Sequence, residues 1–331
     1  MSYSLRISVA TQLLVLAQVV GSLSAQSAQR RAKVPDSVPP YQAQRVVKGP
    51  IEIQGADELL DLGEEWSRGF RTLHPEANLT YRARLSKDAV KDFIAGGQLL
   101  ILSARELTPE ENAAFQGKHG YQPMRIPVCL DANIVFVHKS NPMTEITMEK
   151  LDAIYSKNRL GGAKAAALTW GDLGLRGSWA KQPIHAYARA EGTTTRTTFA
   201  AQAMLKGEYR DGIISCENPA ALAEAVTNDP AGIAFGSMAS WYFSTKVIPV
   251  VPHRATDARM PTQENVTTSR YPMPRLFYIY LNRTPGEPLP DAIQEVAMYL
   301  LSKEGQDAVA DSGLLPGPPE FLTIARRRLS R

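Results

Sequence analysis

The chain has 331 residues, of which 44% are hydrophobic and 21% are charged, so it can bury a large core and favours two domains over one. The net charge of +4 is small for this length, and the basic residues are scattered apart from the run Arg326, Arg327 and Arg328. We expect no nucleic-acid partner, because proteins that bind nucleic acids concentrate basic residues on one surface.

The first residues have the order of a secretory signal peptide, predicted at 1–25. Arg6 precedes a mostly apolar run over 7–20 that is too short and too often interrupted for a membrane span, and a retained amphipathic anchor is the alternative. Because no cysteine lies near the cleavage region, we expect a periplasmic or secreted protein that is not a lipoprotein. Residues 26–45, rich in Gln, Ala, Pro and basic side chains, are predicted to be a flexible tether.

Beyond residue 46, segments with strand and helix patterns alternate, which predicts an α/β fold with a mixed sheet covered by helices. The predicted strands are 51–56, 78–85, 98–104, 126–142, 183–189, a buried strand within 218–241, and 274–282. The predicted helices are 57–75, 86–97, 147–156, one at the start of 218–241, 290–303 and 304–311.

The segment ARAEGTTTRTTF, residues 188–199, has the side chains of an oxyanion site. A strand that ends at Arg189 leads through a glycine bend into three threonines and a helix predicted from about Arg196. A helix N-terminus offers unpaired N–H groups and a partial positive charge, and Arg189 would add a charge-assisted contact to a phosphate or carboxylate. The alternative is that a threonine only caps the helix and the others are solvated.

Over residues 50–320 the chain resembles the periplasmic phosphate-binding protein family, the solute receptors of Pst-type ABC transporters. The resemblance is carried by segments in the family's order and spacing: GADELLDLGEEW, FIAGGQLLILSARELTPEE, PVCLDANIVFVHKSNPMTEITMEKLDAIYS, TWGDLG, ARAEGTTTRTTF, NDPAGIAFGSMASW, YPMPRLFYIYLN and LLSKEGQDAVADSGLLP. It implies a two-lobed α/β fold of the periplasmic-binding-protein type II, in which each lobe is a mixed sheet flanked by helices and the ligand lies in the cleft between them.

The resemblance also implies a domain organisation and partners. Lobe 1 would comprise 46–131 and 274–331, lobe 2 would comprise 132–273, and strands near 128–137 and 274–282 would cross between them. The protein would be a monomer without a cofactor, would bind a small oxyanion, phosphate above all, and would deliver it to an ABC permease in the inner membrane.

On the second-lobe side the resemblance reaches individual site residues. The family's arginine, two residues and Gly-Ser-Gly-Thr are matched by Arg189, Gly192, Thr193, Thr194 and Thr195, and Arg196 follows a variant of the family. Thr194 replaces a glycine whose N–H normally lies close to the anion, and a β-branched residue there would narrow the approach.

The first-lobe side departs from the family. Asp57 and Glu58 stand where the family has hydroxyl side chains, the segment 85–89 keeps only Ser86 of the family's loop, and Arg105 is retained without the serine before it. The resemblance thus gives Asp57, Glu58, Ser86 and Arg105 as ligand-binding candidates.

The two first-lobe carboxylates bear directly on the ligand. Two unit charges about 4 Å apart interact by about 4 kcal/mol at an effective dielectric constant near 20, so an ionised Asp57 facing phosphate would offset much of what Arg189 contributes. Either Asp57 and Glu58 point away as ordinary acids of a first helical turn, or the ligand is not free phosphate.

Other functions receive less support from the sequence. The histidines have no mutual metal-binding spacing, and there is neither a nucleophile elbow nor a P-loop. Cys129 and Cys216 either form one bridge or stay as two free buried thiols.

Beside the oxyanion receptor, the second hypothesis for the function is a receptor for another polar or organic anion, or an interaction or sensing module of the envelope. The third is a phosphoester hydrolase with Thr193 as nucleophile, which lacks a base and a metal set.

Overall fold

The structure is a computed structural model that describes residues 31–241 and 244–330. The signal peptide predicted at 1–25 and the first residues of the predicted tether lie outside these ranges. Within them, no helix combines the length and apolarity that crossing a membrane requires.

The chain alternates strands and helices as the sequence predicts. The strands are β1 (Gly49–Ala56), β2 (Ala77–Arg84), β3 (Leu100–Ser103), β4 (Met124–His138), β5 (Ile146–Thr147), β6 (His185–Arg189), β7 (Ile214–Cys216), β8 (Gly232–Ser237), β9 (Thr245–Ile248), β10 (Val250–Val251), β11 (Pro274–Leu281) and β12 (Leu315–Pro316). The helices are α1 (Leu60–Leu73), α2 (Ser86–Ala95), α3 (Pro109–His119), α4 (Met148–Tyr155), α5 (Thr194–Ala203), α6 (Pro219–Asn228), α7 (Gln263–Thr267), α8 (Asp291–Leu300), α9 (Lys303–Asp311) and α10 (Pro319–Leu329). Short 3-10 turns at Asp57–Leu59, Gly177–Trp179 and Met238–Ser240 complete the regular structure.

One mixed sheet runs through the molecule in the order β2-β1-β3-β11-β4-β8-β6-β7. Strand β4 belongs to both ends, because its residues up to Ala132 pair antiparallel with β11 and its residues from Asn133 pair antiparallel with β8. We call the part built on β1, β2, β3, β11 and the start of β4 the first lobe, and the part built on β6, β7, β8, β9 and the end of β4 the second lobe. Strand β11 pairs with β3 and with the first-lobe part of β4, and among the strands of residues 31–241 and 244–330 it is β4 alone that pairs in both lobes.

Local packing brings the carboxyl end of β1 to the edge of the first lobe. Leu62, Trp66 and Phe70 recur along one face of α1 and are buried, which fixes this helix on the sheet. Gly55 in β1 is required for close approach, since a Cβ there would lie 2.3 Å from the carbonyl oxygen of Leu102. The residues just after Gly55 therefore leave the sheet at a fixed position.

The segment predicted as a flexible tether is packed where the structure describes it. Val34 and Val38 are buried in the hydrophobic core, and the guanidinium of Arg31 lies 2.5 Å from the Asp311 carboxylate of α9. The prediction is wrong for residues 31–45, because their apolar side chains alternate with the prolines and basic residues and find a surface to cover.

Tyr41 is the main polar anchor of this segment. Its hydroxyl donates to the buried Glu295 carboxylate at 2.5 Å and lies 2.6 Å from Nε2 of His74. Its ring packs edge-to-face on Tyr299, with centroids 5.7 Å apart. These three contacts join a residue before β1 to helix α8 and to the end of helix α1.

We predict that Tyr41→Phe lowers the free energy of unfolding by about 1.5–3 kcal/mol, the range for a hydrogen bond to a charged group, because Glu295 stays buried without this donor. Urea unfolding monitored by circular dichroism measures the change. An unchanged unfolding midpoint would mean that the hydrogen bond from Tyr41 to Glu295 contributes nothing to stability.

Candidate functional site

The candidate site lies in the cleft between the lobes, at the carboxyl ends of β1, β6 and β8. The first lobe contributes the 3-10 turn Asp57–Leu59 after β1 and the start of α2. The second lobe contributes the end of β6, the N-terminus of α5 and the end of β8. Ligand sites in open α/β sheets are usual at such strand ends.

Arg275, at the start of β11, is the centre of a buried ion-pair network. Its guanidinium donates through Nη2 to Oδ2 of Asp131 and through Nη1 to Oε2 of Glu58 at 3.1 Å. The side chains are 2% exposed for Arg275, 0% for Asp131 and 1% for Glu58. Removing charges from water costs several kcal/mol per ion, so these three groups stabilise the structure only as a complete set.

Asp131 connects this network to the second lobe. Its Oδ1 accepts from the hydroxyl of Ser237 at 3.0 Å and from the backbone N–H of Met238 at 2.9 Å. Burial raises the pKa of Asp131 above its usual value, although the adjacent Arg275 opposes this shift. The aspartate thus holds the crossing strand β4, the strand β11 and the end of β8 in one arrangement.

Glu58 crosses the cleft to the N-terminus of α5. Its Oε1 accepts from the backbone N–H of Thr195 at 2.6 Å and also from the Thr195 hydroxyl. The first N–H groups of a helix have no partner within the helix and carry a partial positive charge, so they favour an anion. Here the anion is a carboxylate of the chain itself.

Arg189, at the end of β6, makes the second ion pair across the cleft. Its Nη2 donates to Oδ2 of Asp57 at 2.7 Å and to the carbonyl oxygen of Glu217 at 3.0 Å. The side chain is 2% exposed, and its Nε has no hydrogen-bond partner. A buried N–H of a charged group is unfavourable when it has no acceptor. Nε of Arg189 can therefore donate to one further acceptor.

The hydroxyl side chains before α5 have separate roles. Thr194 donates to the hydroxyl of Ser86 across the cleft at 2.9 Å, whereas Thr193 donates to the carbonyl oxygen of Ala190 in its own turn at 2.8 Å. Gly192 has φ +82, a conformation that L side chains rarely adopt, and it lets the chain turn into the helix. The helix begins at Thr194, two residues earlier than predicted.

The interpretation that Asp57 and Glu58 point away as first-turn acids is wrong. Both stand in the turn before α1, but their carboxylates reach the second lobe and pair with arginines and with Thr195. The buried guanidinium groups of Arg189 and Arg275, together with the N-terminus of α5 for Glu58, give these carboxylates stronger partners than the first turn of their own helix would.

Two predicted binding residues lie outside the cleft contacts. Arg105 forms a bidentate pair with Glu111 of α3, with both N–O distances at 2.7 Å. Arg196 lies over the ring of Tyr209, 4.4 Å from its centroid, and donates to the carbonyl oxygen of Arg189 at 3.2 Å. In each case a side chain or carbonyl of the chain itself contacts the guanidinium, and Arg196 supports the end of β6.

Asp131 and Arg275 were not among the residues predicted for the site. A signal for them exists, because each is a charged residue in an otherwise apolar strand, CLDANIVFV for one and PRLFYIYL for the other. A buried charge requires an opposite partner, and these strands were both predicted to cross between the lobes. Their pairing could therefore have been inferred from the sequence.

The space left in the closed cleft is small. A cavity of about 30 Å³ lies beside Glu58, Arg189, Thr195, Ser237 and Ser240. A water molecule needs about 10–15 Å³ of such space, so the cavity has room for about two of them.

Among residues 31–241 and 244–330, no group of three or more His, Cys, Asp or Glu is arranged to hold a metal ion. In the same ranges Cys129 and Cys216 are free and buried, and burial raises the pKa of both thiols.

Comparison with known sequences gives matches over nearly the whole chain. A model of the PBP superfamily domain matches residues 25–304. The phosphate-binding protein PstS of Pseudomonas aeruginosa is 31% identical over 317 residues, which cover 96% of this chain and 97% of that protein. The protein SphX of Synechococcus elongatus is 24% identical over 302 residues, which cover 90% of this chain and 86% of that protein.

Solved structures of transport receptors share the fold. A phosphate ABC transporter type substrate-binding protein from Clostridium perfringens, with bound phosphate, has a TM-score of 0.67 and 20% identity, covering 82% of this chain and 100% of that one. An ABC-type phosphate transport receptor from Vibrio cholerae has a TM-score of 0.63 and 19% identity, covering 81% of this chain and 100% of that one. The predicted two-lobed α/β architecture is confirmed.

We predict that Arg275→Met lowers the free energy of unfolding by about 3–5 kcal/mol, because it leaves the Asp131 and Glu58 carboxylates buried without their cation. Chemical denaturation followed by tryptophan fluorescence measures this loss. The triple variant Arg275→Met, Asp131→Asn, Glu58→Gln should recover much of it, since no unpaired charge remains.

Arg270→Met is the matched control for this prediction. Arg270 pairs with Glu264 at 2.8 Å, but the two side chains are 58% and 72% exposed, and a surface pair contributes only about 0–1 kcal/mol. If Arg275→Met cost no more than Arg270→Met, the buried network would have no special role in stability.

Proposed function

Since the chain belongs to the PBP superfamily, we propose that it is an exported solute-binding receptor that captures a small oxyanion, inorganic phosphate above all, and delivers it to an ABC permease. The observation that carries this proposal is the second-lobe wall of the cleft. There the buried Arg189 and the N-terminus of α5 face the first lobe, and Nε of Arg189 has no acceptor.

The residues that we assign to the anion are those that offer donors to the cleft. Arg189 supplies the guanidinium, Thr195 supplies both a backbone N–H and a hydroxyl, and Ser86 and Thr194 supply hydroxyls from opposite lobes. Closing the lobes removes water from these donors, and each contact with an anion is stronger in a site of low dielectric constant. The relatives PstS and the Vibrio cholerae receptor, which their names associate with phosphate, support this assignment.

A second candidate function is a receptor for a different polar or organic anion, or an envelope module with a permanently closed cleft. The observation that favours it is that the carboxylates of Asp57 and Glu58 already pair with the guanidinium groups of Arg189 and Arg275. These carboxylates repel a free anion and occupy the cations that would bind it. A thermal-shift screen of carboxylates, phosphoesters and phosphate separates the two functions.

We predict that phosphate and arsenate bind to the wild-type protein in isothermal titration extended to millimolar concentrations, and that Arg189→Ala weakens phosphate binding about 10- to 100-fold. The reason is the loss of charge-assisted hydrogen bonds, each worth about 1.5–3 kcal/mol. Sulfate serves as the comparison anion of similar shape that carries no proton.

Arg270→Ala is the control, because Arg270 is an exposed arginine paired with Glu264 on the surface of the second lobe. Its phosphate affinity should equal that of the wild type. Equal affinities of Arg189→Ala and wild type would reject the site, and a stabilising ligand found only among organic anions would favour the second candidate.

A further inference from the structure

The Glu58 carboxylate has the surroundings that an anion-binding protein gives to its ligand. It accepts from the backbone N–H of Thr195 at 2.6 Å and from the Thr195 hydroxyl, and it pairs with Arg275 at 3.1 Å. These are a helix N-terminus, a hydroxyl and a guanidinium, which together bind carboxylates and phosphates alike. With 1% of the side chain exposed, the carboxylate has exchanged water for these donors.

A free anion has no room beside this carboxylate. The adjoining cavity of about 30 Å³ is lined by Glu58 and Thr195 themselves and has space for about two water molecules. A phosphate ion that contacted the N–H of Thr195 would also stand within a few ångströms of Glu58. At about 4 Å and an effective dielectric constant near 20, the repulsion between two unit charges is about 4 kcal/mol.

We propose that Glu58 is the residue that sets the affinity of the site: its carboxylate is a tethered ligand that holds the cleft closed without solute, and free phosphate binds only by displacing it. This inference rests on the function proposed above. It assigns to Glu58 a competitive role: Glu58 and phosphate compete for the donors of Thr195, whereas Arg189 is paired with Asp57.

The Glu58 carboxylate changes the apparent phosphate affinity by changing the fraction of molecules whose cleft is free to bind. When only a fraction of molecules has the binding-competent cleft, the apparent dissociation constant is the intrinsic one divided by that fraction. A carboxylate attached to the facing lobe has an effective concentration in the millimolar range or above, so it competes well against a dilute free anion. Replacing Glu58 should therefore lower the apparent dissociation constant for phosphate.

The first experiment measures phosphate binding by isothermal titration to wild type and Glu58→Thr. Threonine removes the carboxylate, keeps a hydroxyl and leaves Arg275 paired with Asp131, so the buried network stays partly satisfied. We expect Glu58→Thr to bind phosphate at least about tenfold more tightly than wild type. Glu64→Thr, at an exposed position of α1, is the matched control and should bind as the wild type does.

The second experiment measures lobe closure by small-angle X-ray scattering without and with phosphate. The wild type should have the radius of gyration of the closed form before any phosphate is added. The Glu58→Thr variant should have a larger radius of gyration than the wild type without phosphate. This radius should decrease to the wild-type value when phosphate is present. A Glu58→Thr protein that is closed without phosphate overturns the tether.

The binding results separate the two proposals. Tighter binding by Glu58→Thr, including binding by this variant alone, supports the tethered ligand. Equal or weaker binding by Glu58→Thr overturns it and leaves the phosphate receptor standing. Absence of binding by wild type, Glu58→Thr and Glu64→Thr alike overturns both, because a vacated site then takes no phosphate.

Discussion

The burial of one guanidinium group organises the cleft. Arg275 is almost without contact with water, so its charge has to be balanced by carboxylates that are equally dehydrated. Asp131 comes from the shared strand and Glu58 from the turn after β1, at sequence distances of 144 and 217 residues from Arg275. Satisfying this single cation fixes the relative position of three distant parts of the chain.

The requirement that buried charges be balanced concerns the groups that line the cleft and not the fold that contains them. The two-lobed architecture is shared with phosphate receptors, but a fold does not determine the ligand, which depends on the groups at the site. The second lobe keeps an arginine and a hydroxyl-rich helix N-terminus, which suit an oxyanion. The first lobe presents Asp57 and Glu58 to them, so the donors of one wall are already occupied by the acceptors of the other.

The sequence predicted most of the fold, because strand and helix patterns depend on residues close together in the chain. Helices α3, α7 and α10 were missed, although the local signal Thr108-Pro109 with Glu111 forms a capping box at the start of α3. The site was harder to predict, since side-chain direction depends on distant partners. The resemblance gave Arg105 and Arg196 as ligand residues, but Glu111 and Tyr209 engage them instead. The carboxylates of Asp57 and Glu58 turned towards the cleft because of arginines that no local pattern connects to them.

The partner change of β4 between Ala132 and Asn133 is the point about which the two lobes would pivot. Asp131 and Arg275 are cross-strand neighbours right at this pivot, whereas Glu58 and Thr195 lie on separate arms. A rotation about this point would move atoms in proportion to their distance from it, so it would separate Glu58 from Thr195 and leave Asp131 beside Arg275. Opening would therefore break the buried contacts of Glu58 with Thr195 and of Asp57 with Arg189, and it would keep the ion pair of Asp131 with Arg275.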